Sequence, residues 1–545
     1  MVVCKSCGYK GDNGKFCPQC GTPLEESVPE FVVEEVQEEK EPESATETQV
    51  AAKPEKEKAP KKPLNKKLIA TIAVVAIVVI AAITLLRMFT GGKSGFDTLG
   101  DDAVNFMQTE EAIKIFTADG KMIEGPECDY YSGEAISMDS SKVILISDDE
   151  ELYLLTKKGF VEIDSDVANA KISTTGAGIA YIKDCDDYDN GCGDLYVYDV
   201  EKEKSTKIES GVFASGYVIS PDGKTVAFID DNERCHLFVK GEEQGDGVKG
   251  AKPLAVSNGG KYLYYGKNDN IYVLPKKKDA EKLASSADQI VFNKDFTQMM
   301  YSYNGKTYFC NEGKEADETV TTKGSCRVVV PTNGLYQSYT ASIYDYSSVS
   351  VTVLGTEKLS NLVCRIDDGL YYITKDMVAE KIVSSYISAQ VSEDGNSLIY
   401  YKGEDLYKVK NLKKSLEAEE IASDLYMRSF NATPDLSKVY YYDTEEEEIV
   451  VFNGKKTVTI YDDDYSGMVV AGNNLYFLGD YDDDEEVGTL YVSKDGKEKQ
   501  KVSSSDEVNG MVLMNGKVFY YVEEDDELFM ADGTKEKSVA KEFSE

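Results

Sequence analysis

A polar turn followed by an aromatic-rich strand recurs along most of the chain, and this repetition limits the possible folds more than any other feature. The clearest copy is ISPDGKTVAFIDD, at residues 219–231. Related copies begin at Val256, Phe292, Val391 and Ala432. Comparable turns lie near residues 139, 175, 222, 259, 295, 333, 367, 394, 435, 473 and 515. Their mean step of about 38 residues indicates an array of similar structural units.

The order of segments within one unit is constant. An aromatic strand leads into an acidic turn, a second strand such as residues 194–200, a short basic and polar strand, and an apolar strand that enters the next turn. Apolar and polar residues alternate with period two, which is typical of antiparallel β-structure. The 37 tyrosines favour the same class, because tyrosine suits half-buried strands. We therefore expect an all-β fold whose units, with four strands in about 40 residues, have the size of a propeller blade.

The pattern S-P-D-G-K-x-x-x-F at residues 220–228 resembles the repeat of TolB-type β-propellers. The resemblance implies a β-propeller repeat region over residues 97–545. Eleven units exceed the usual number of about four to eight blades. We therefore expect two tandem propellers with a boundary near residue 330. One large or irregular ring is the alternative, and an open array of β-sandwich sheets is a third.

Residues 1–24 contain two Cys-x-x-Cys-Gly pairs, with thiols at Cys4, Cys7, Cys17 and Cys20. Four thiolates hold Zn²⁺ tetrahedrally, and the metal supplies the folding energy that so short a segment lacks. The segment resembles the short zinc-ribbon family found at the N-termini of many bacterial membrane proteins. The residues that fit its pattern are Cys4, Cys7, Gly8, Phe16, Cys17, Pro18, Cys20, Gly21, Thr22, Pro23 and Leu24. The resemblance implies a structural zinc site, and four protein ligands leave no coordination position for catalysis.

A linker and an apolar segment follow the cysteines. Residues 25–67 are rich in Glu, Lys, Pro and Ala, which predicts a disordered charged linker. Residues 68–86 carry no charge and no proline, and as a helix they would extend about 28 Å, close to the thickness of the hydrocarbon core. We expect a transmembrane helix at residues 68–87. Seven lysines lie within residues 56–67, so the positive-inside rule predicts a cytoplasmic N-terminus and an extracellular C-terminal region in a single-pass protein of the cell membrane.

The formal net charge of −38 argues against nucleic acid and anionic lipid headgroups as partners, because like charges repel. Acidic loops at residues 184–194, 461–467 and 479–488 raise the alternative of Ca²⁺ binding, although none has the spacing of a twelve-residue calcium loop. Solvated turns are the simpler interpretation of these loops. The only histidine, His236, is interpreted as a hydrogen-bonded or surface residue of a strand.

Two of the seven cysteines beyond the apolar segment, Cys185 and Cys192, flank one acidic loop. In an oxidising compartment they could close a small disulfide-bonded hairpin. The odd number argues against a complete disulfide framework.

These features predict a membrane-anchored binding or scaffold protein that is not an enzyme. Its extracellular acidic propeller would bind a protein or glycan ligand, and its cytosolic zinc ribbon would dock a protein partner. A transmembrane sensor that couples outer binding to a cytosolic partner is the alternative, and an extracytoplasmic enzyme ranks last, because no carboxylate constellation can be located. The sequence does not identify the ligand.

Overall fold

The computed structural model describes residues 104–543, except residues 109–111, 118–119, 128–130, 186–190, 316–318, 322–323, 345–346 and 515. It also describes two short antiparallel strands near the N-terminus, β1 (Val2–Val3) and β2 (Lys10–Gly11). The chain divides into two compact units, Met1–Leu85 and Leu86–Glu545.

The predicted all-β class is confirmed. Within the described residues no α-helix occurs, and the only helical element is a 3₁₀ turn at Asn258–Gly260. The strands of the first part are β3 (Val104–Gln108), β4 (Ala112–Thr117), β5 (Met122–Glu127), β6 (Tyr131–Ile136), β7 (Lys142–Ser147), β8 (Leu152–Thr156), β9 (Gly159–Asp164), β10 (Val167–Ile172), β11 (Gly178–Lys183), β12 (Cys192–Asp199), β13 (Lys204–Ile219), β14 (Thr225–Asp230), β15 (Arg234–Val239), β16 (Glu242–Glu243) and β17 (Val248–Lys249).

The remaining strands continue the same alternation to the end of the described chain. Those of the middle part are β18 (Lys252–Val256), β19 (Tyr262–Lys267), β20 (Asn270–Pro275), β21 (Glu281–Ala284), β22 (Gln289–Phe292), β23 (Gln298–Tyr303), β24 (Lys306–Asn311), β25 (Lys314–Glu315), β26 (Arg327–Val329), β27 (Tyr336–Tyr344), β28 (Ser347–Leu354), β29 (Leu362–Ile366), β30 (Gly369–Ile373) and β31 (Ala379–Val383). Those of the last part are β32 (Ser388–Val391), β33 (Leu398–Lys402), β34 (Asp405–Val409), β35 (Glu419–Ala422), β36 (Phe430–Ala432), β37 (Val439–Asp443), β38 (Glu448–Phe452), β39 (Thr457–Tyr461), β40 (Tyr465–Ala471), β41 (Asn474–Asp482), β42 (Val487–Lys494), β43 (Lys499–Lys501), β44 (Val508–Met514), β45 (Lys517–Val522), β46 (Glu527–Asp532) and β47 (Lys535–Lys541).

The strands form eleven consecutive antiparallel repeats, numbered here from the N-terminus. Repeat 1 has three strands, β3–β5, and repeat 2 is β6–β9. The long strand β13 ends repeat 3, which starts at β10, and begins repeat 4, which ends at β17. Repeat 5 is β18–β21, repeat 6 is β22–β25, and repeat 7 combines β26 with β29–β31. Repeats 8 to 11 are β32–β35, β36–β39, β40–β43 and β44–β47.

The turn between the first and second strands of a repeat explains the S-P-D-G-K pattern. The Ser220 hydroxyl donates to Asp222 Oδ1 at 2.6 Å and accepts from the Thr225 amide at 3.0 Å, while Asp222 Oδ1 also accepts from the Lys224 amide at 3.2 Å. Gly223 has a φ of +69°, and a Cβ there would lie 2.4 Å from the backbone nitrogen of Gly178 in the neighbouring turn. The glycine is therefore required both by the turn and by the close approach of two repeats.

The same turn chemistry recurs in other repeats, in three of them without the glycine and once with Gly395 in the equivalent position. The residue pairs that reproduce the side-chain hydrogen bond are Ser137 with Asp139, Asn293 with Asp295, Ser392 with Asp394, and Thr433 with Asp435. Burial opposes ionisation of Asp139, Asp394 and Asp435, but these hydrogen bonds outweigh it and lower the pKa of each carboxyl. The polar pair, rather than the glycine, is thus the most persistent element of the repeat.

Turns of successive repeats contact one another, so all repeats have the same polarity. The Met138 amide donates to the Thr174 carbonyl at 2.9 Å, and the Glu393 amide donates to the Pro434 carbonyl at 2.8 Å. The first and third turns of each repeat therefore lie at one end of the strands, here called the motif end. The second turns lie at the opposite end, here called the acidic end, because antiparallel strands alternate direction.

The two ends of the strands differ in charge. The turns at 148–151, 443–448, 480–486 and 523–526 are acidic, whereas the third turns at 157–158, 276–278, 413–414 and 455–456 carry paired or tripled lysines.

The core consists of apolar layers between neighbouring repeats. Repeat 3 contributes Ile182 and Leu195, for example, to a layer with Tyr217 and Phe228 of repeat 4. Equivalent layers join each repeat to the next along the chain. Stabilisation is thus distributed over many similar interfaces rather than one central core.

The last repeat also packs against the first. Phe116 of β4 lies between Phe519 and Phe543, with ring centroids 5.9 Å and 6.0 Å away. The Lys114 ammonium donates to the carbonyl of Phe543 at 2.9 Å and to that of Glu542 at 3.2 Å. The succession of packed repeats therefore returns to its starting point.

Two of the predicted turns do not occupy the position within a repeat that the sequence pattern indicated. The turn near residue 367 connects β29 to β30, so it is the second turn of repeat 7 and does not start a new unit. Residue 333 lies in a segment inserted between β26 and β29, and residue 330 directly follows β26. Repeat 1 was not recognised from the sequence. Its described strands, β3–β5, do not include the characteristic turn.

Candidate binding cleft

An inserted hairpin distinguishes repeat 7 from all other described repeats. Strands β26 and β29 pair as ordinary antiparallel neighbours, with Val328 opposite Cys364. The chain between them forms β27 and β28, which pair with each other from Tyr336 opposite Leu354 onward. The connection that is a short turn elsewhere is therefore a separate structural element here.

The hairpin joins repeat 6 through the only parallel pairing among the described strands. Strand β28 lies beside β22, with Gln289 opposite Ser350 and Phe292 opposite Val353. Because β27 covers the other edge of β28, the backbone groups of β28 are used within the sheet. The result is a platform of three strands, β22, β28 and β27, on the first strand of repeat 6.

The two faces of the platform have opposite character. Val349, Val351 and Val353 are at most 1 % exposed and pack into the apolar layer between repeats 5 and 6. The Tyr339 hydroxyl donates to the Leu254 carbonyl at 3.0 Å, and burial of this hydroxyl raises the pKa of Tyr339. The other face carries the hydroxyl side chains listed next, Ser338, Thr340, Ser342, Ser348, Ser350 and Thr352.

A cleft of about 420 Å³ opens between this hydroxyl face and β26. Its lining includes Asp288 and Gln289 at the start of β22, Arg327 on β26, and Ser350 on β28. Tyr336 lies at the cleft with 55 % of its surface exposed. The volume falls in the range of about 300–1,000 Å³ that is typical of small-molecule sites.

The polar groups of the cleft are available for a ligand. Within the described part of the chain, the side chains of Asp288, Gln289, Arg327 and Tyr336 form no hydrogen bond or ion pair. The Ser338 and Thr352 hydroxyls lie 3.2 Å apart and bond to each other across β27 and β28. The cleft therefore offers one cation, one carboxylate, one amide, a phenol ring and several hydroxyls.

Two buried thiols fix the strand that carries Arg327. Cys326 is 2 % exposed, and its amide donates to the Thr307 hydroxyl at 3.1 Å. A hydrogen bond between the thiols of Cys326 and Cys364 lowers the pKa of Cys326 and raises that of Cys364. The backbone beside Arg327 is thus held to repeat 6 and to β29.

The predicted zinc ligands Cys4, Cys7, Cys17 and Cys20 lie outside the described residues, as do the linker and the apolar segment at residues 68–87. No helix in the described part of the chain is long and apolar enough to cross a membrane. The zinc site and the membrane span therefore stay predictions.

The acidic loops bind their own backbone and neighbouring tyrosines. Hydrogen bonds from the Tyr491 hydroxyl and the Tyr461 hydroxyl, the second at 2.8 Å, lower the pKa of Asp480. Asp482 Oδ1 accepts from the amides of Asp484 and Glu485 at 2.9 Å and 3.2 Å. Among the described residues, no three His, Cys, Asp or Glu side chains are grouped so as to hold a metal ion. Calcium binding stays an untested alternative.

Cys185 and Cys192 lie at the two ends of the second turn of repeat 3. Lys183 pairs with Asp194, and the same register continued by two residues sets Cys185 opposite Cys192. Burial, helped by the carboxylates of Asp231 and Asp230 and by Cys185, raises the pKa of Cys192. The register fits the predicted disulfide, which stays a prediction.

His236 is a hydrogen-bonded strand residue, as predicted. Its Nε2 lies 3.1 Å from Asp230 Oδ2, its Nδ1 contacts the Glu243 carboxylate, and its ring stacks on Phe228 with centroids 5.5 Å apart. These contacts tie the second turn of repeat 4 to β16.

The cleft was missed by sequence reasoning, although the sequence carries a signal. Between residues 328 and 356 the only charged side chain is Asp345, whereas 29 % of all residues in the chain are charged. Residues 347–354 also alternate hydroxyl and aliphatic side chains almost strictly. This loss of charge marks the segment that departs from the repeat.

Comparisons with known proteins give distant structural likeness only. No family model matches the chain, and no curated protein matches it. A crystal structure of the eukaryotic initiation factor is 10 % identical, with a TM-score of 0.35 over 74 % of this chain and 96 % of that one. Porphyromonas gingivalis dipeptidyl peptidase 4 is 11 % identical, with a TM-score of 0.33 over 75 % of this chain and 59 % of that one. The GH74 enzyme of Niastella koreensis is 10 % identical, with a TM-score of 0.25 over 82 % and 84 %. Scores this low carry no argument about function.

Proposed function

We propose that this chain is a membrane-anchored binding protein whose ligand occupies the cleft beside the inserted hairpin. The cleft, in which hydroxyl side chains lie beside one cation and one carboxylate, carries the proposal. It interrupts an otherwise regular array. The side chains of Asp288, Gln289, Arg327 and Tyr336 have no hydrogen-bond or ion-pair partner among the described residues, and Tyr336 is 55 % exposed. Exposed aromatic rings beside unpaired polar groups are characteristic of binding sites.

The repeats are best interpreted as a single β-propeller ring of eleven blades. The apolar layer between repeats 6 and 7 and the layer between repeats 11 and 1 both support one ring rather than two tandem propellers. Two separate rings would instead bring repeats 6 and 1, and repeats 7 and 11, together. In a ring of this size the hairpin fills part of the centre, which explains why the insertion occurs on the first strand of a repeat.

The cellular arrangement rests on the sequence. The zinc ribbon of Cys4, Cys7, Cys17 and Cys20 lies in the cytosol and docks a protein partner, one helix crosses the membrane, and the propeller faces outward. Protease added to intact cells is expected to remove epitopes in the C-terminal half and to spare an epitope at the N-terminus. The reverse pattern would refute this orientation.

Binding at the cleft can be tested with a photo-crosslinking residue at position 336 of the full-length chain on intact cells. Val161 in repeat 2 is the matched control, because its exposure is also 55 %. We expect a discrete adduct at position 336 and only diffuse labelling at position 161. Equal labelling at both positions would show that the cleft does not select a ligand.

A further inference from the structure

The cleft points to one ligand class, and we infer that it binds an uncharged oligosaccharide. The inference rests on the proposed binding function of the cleft and adds the chemistry of its ligand. Three observations carry it: the local charge, the kind of hydrogen-bonding groups, and the exposed ring of Tyr336.

The charge of the cleft is balanced within a strongly acidic protein. Arg327 and Asp288 contribute opposite charges, and the hairpin adds no other charged side chain except Asp345, at a position that is not described. An anionic ligand would be repelled by a chain of net charge −38, and a cationic one would be drawn to the acidic end before it reached the cleft. The site therefore suits a ligand without charge.

Apart from Asp288, Gln289 and Arg327, the polar groups of the cleft are hydroxyls, which both donate and accept hydrogen bonds. The rest of the lining is apolar, with Val291, Val328 and Val330. Ser350 and Thr352 lie on β28, Ser338 lies opposite Thr352 on β27, and the Gln289 amide lies beside Ser350 on β22. Sugar hydroxyls also both donate and accept hydrogen bonds. A polyhydroxylated ligand can therefore form hydrogen bonds with several Ser and Thr hydroxyls in many orientations. An aliphatic ligand would leave these groups without partners, which is costly once water is displaced.

Tyr336 provides the apolar surface that such a ligand also requires. Its ring borders the hydroxyl face, stacks on no other ring in the described structure, and donates no hydrogen bond there. The C–H face of a pyranose can lie on an aromatic ring while its edge hydroxyls bond to neighbouring polar groups. The exposed ring of Tyr336 can contact the C–H face of a sugar, and the neighbouring hydroxyls can bond to its edge.

An extended peptide finds no open strand edge on the cleft floor. Peptides that add to a sheet bond to an open strand edge. The cleft floor is instead a sheet face, and both edges of β28 are already paired, with β22 and β27. Recognition on this floor must come from side chains.

The absence of tryptophan makes a direct test possible, because Tyr336→Trp gives the full-length chain a single tryptophan at the cleft. The matched control is Tyr426→Trp, whose tyrosine is also exposed but belongs to a loop between repeats 8 and 9. The probes are hexasaccharides of β-1,4-glucose, β-1,4-mannose, β-1,4-xylose, β-1,3-glucose and N-acetylglucosamine, in a detergent without a sugar headgroup.

We expect at least one hexasaccharide to change the emission of the Tyr336→Trp protein saturably and to leave that of the control unchanged. Calorimetry on the chain without tryptophan should then show at least tenfold weaker binding after Tyr336→Ala. No saturable change with any hexasaccharide up to about 10 mM overturns the inference. If the adduct at position 336 still forms on cells, the binding function survives with another ligand class; if it also fails, both proposals fall.

Discussion

Phe116 joins the first repeat to the last, so its truncation tests whether the array is closed. The side chain is 1 % exposed and lies between Phe519 and Phe543. Replacing a buried phenylalanine by alanine costs about 3–5 kcal/mol, because the contacts are lost and a cavity remains. In a closed array this cost falls on the interface between repeats 1 and 11.

Phe116→Ala is expected to destabilise both repeat 1 and repeat 11, and to have little effect on the other repeats. Each 1.4 kcal/mol corresponds to a factor of ten, so opening of this interface should become about 10²- to 4 × 10³-fold more frequent. Hydrogen–deuterium exchange followed by mass spectrometry should show faster exchange in β4 and also in β46, which are more than 400 residues apart in sequence. Repeats 5 to 7 should change least, because repeat arrays transmit stability mainly between neighbours.

Phe430→Ala is the matched control, since Phe430 is 7 % exposed and belongs to the layer between repeats 8 and 9. Its exchange increase should centre on those repeats and leave β4 unchanged. An increase of less than about threefold in β46 of the Phe116→Ala protein would mean that repeats 1 and 11 are not coupled. The single-ring interpretation would then be wrong.

Three further predictions concern the repeats and the N-terminus. Burial opposes ionisation of Asp394, but hydrogen bonds from Ser392 and Asn396 lower its pKa below the ordinary 3.8, so the stabilisation is present above that value and is lost as the pH falls through the folded pKa. We expect Ser392→Ala to reduce the free energy of unfolding by about 1 kcal/mol near neutral pH, with the deficit shrinking below about pH 4 in denaturant titrations; a deficit independent of pH would contradict this. Non-reducing peptide mapping of the chain isolated from cells should recover Cys185 linked to Cys192, and two alkylated thiols there would exclude the bridge. Elemental analysis should find about one zinc per chain, lost on Cys17→Ser, and zinc content unaffected by this change would reject the predicted site.

The all-β class and the phase of most repeats could be predicted, because their determinants are local. Ser220, Asp222 and Gly223 specify their turn through contacts within a few residues. The aromatic strand after the turn can be recognised from the alternation of its residues with period two. The sequence indicated eleven units, the same number as the described strands form. The agreement is partly accidental, because the turn at 367 was counted as the start of a unit and repeat 1 was not recognised. An inserted hairpin disrupts a periodic pattern without changing its local chemistry.

The cleft could not be derived from the sequence in the same way. It depends on parallel pairing between β22 and β28, strands about 60 residues apart, and no local pattern encodes such a register. The fall in charge between residues 328 and 356 indicates that the segment is unusual, but not which strand it joins. Asp288 and Arg327 line the same cavity, although they belong to different repeats and no local pattern relates them.

The two ends of the strands differ in charge, and this difference orients the molecule before it contacts another surface. Carboxylates on the second turns and lysines on the third turns give the array of repeats a permanent electric dipole along the strand direction. Within about 8 Å of a charged surface at physiological salt, before any side chain touches it, the molecule would rotate so that its lysines approach anions. Two copies would likewise repel through their acidic ends and meet more readily head to tail.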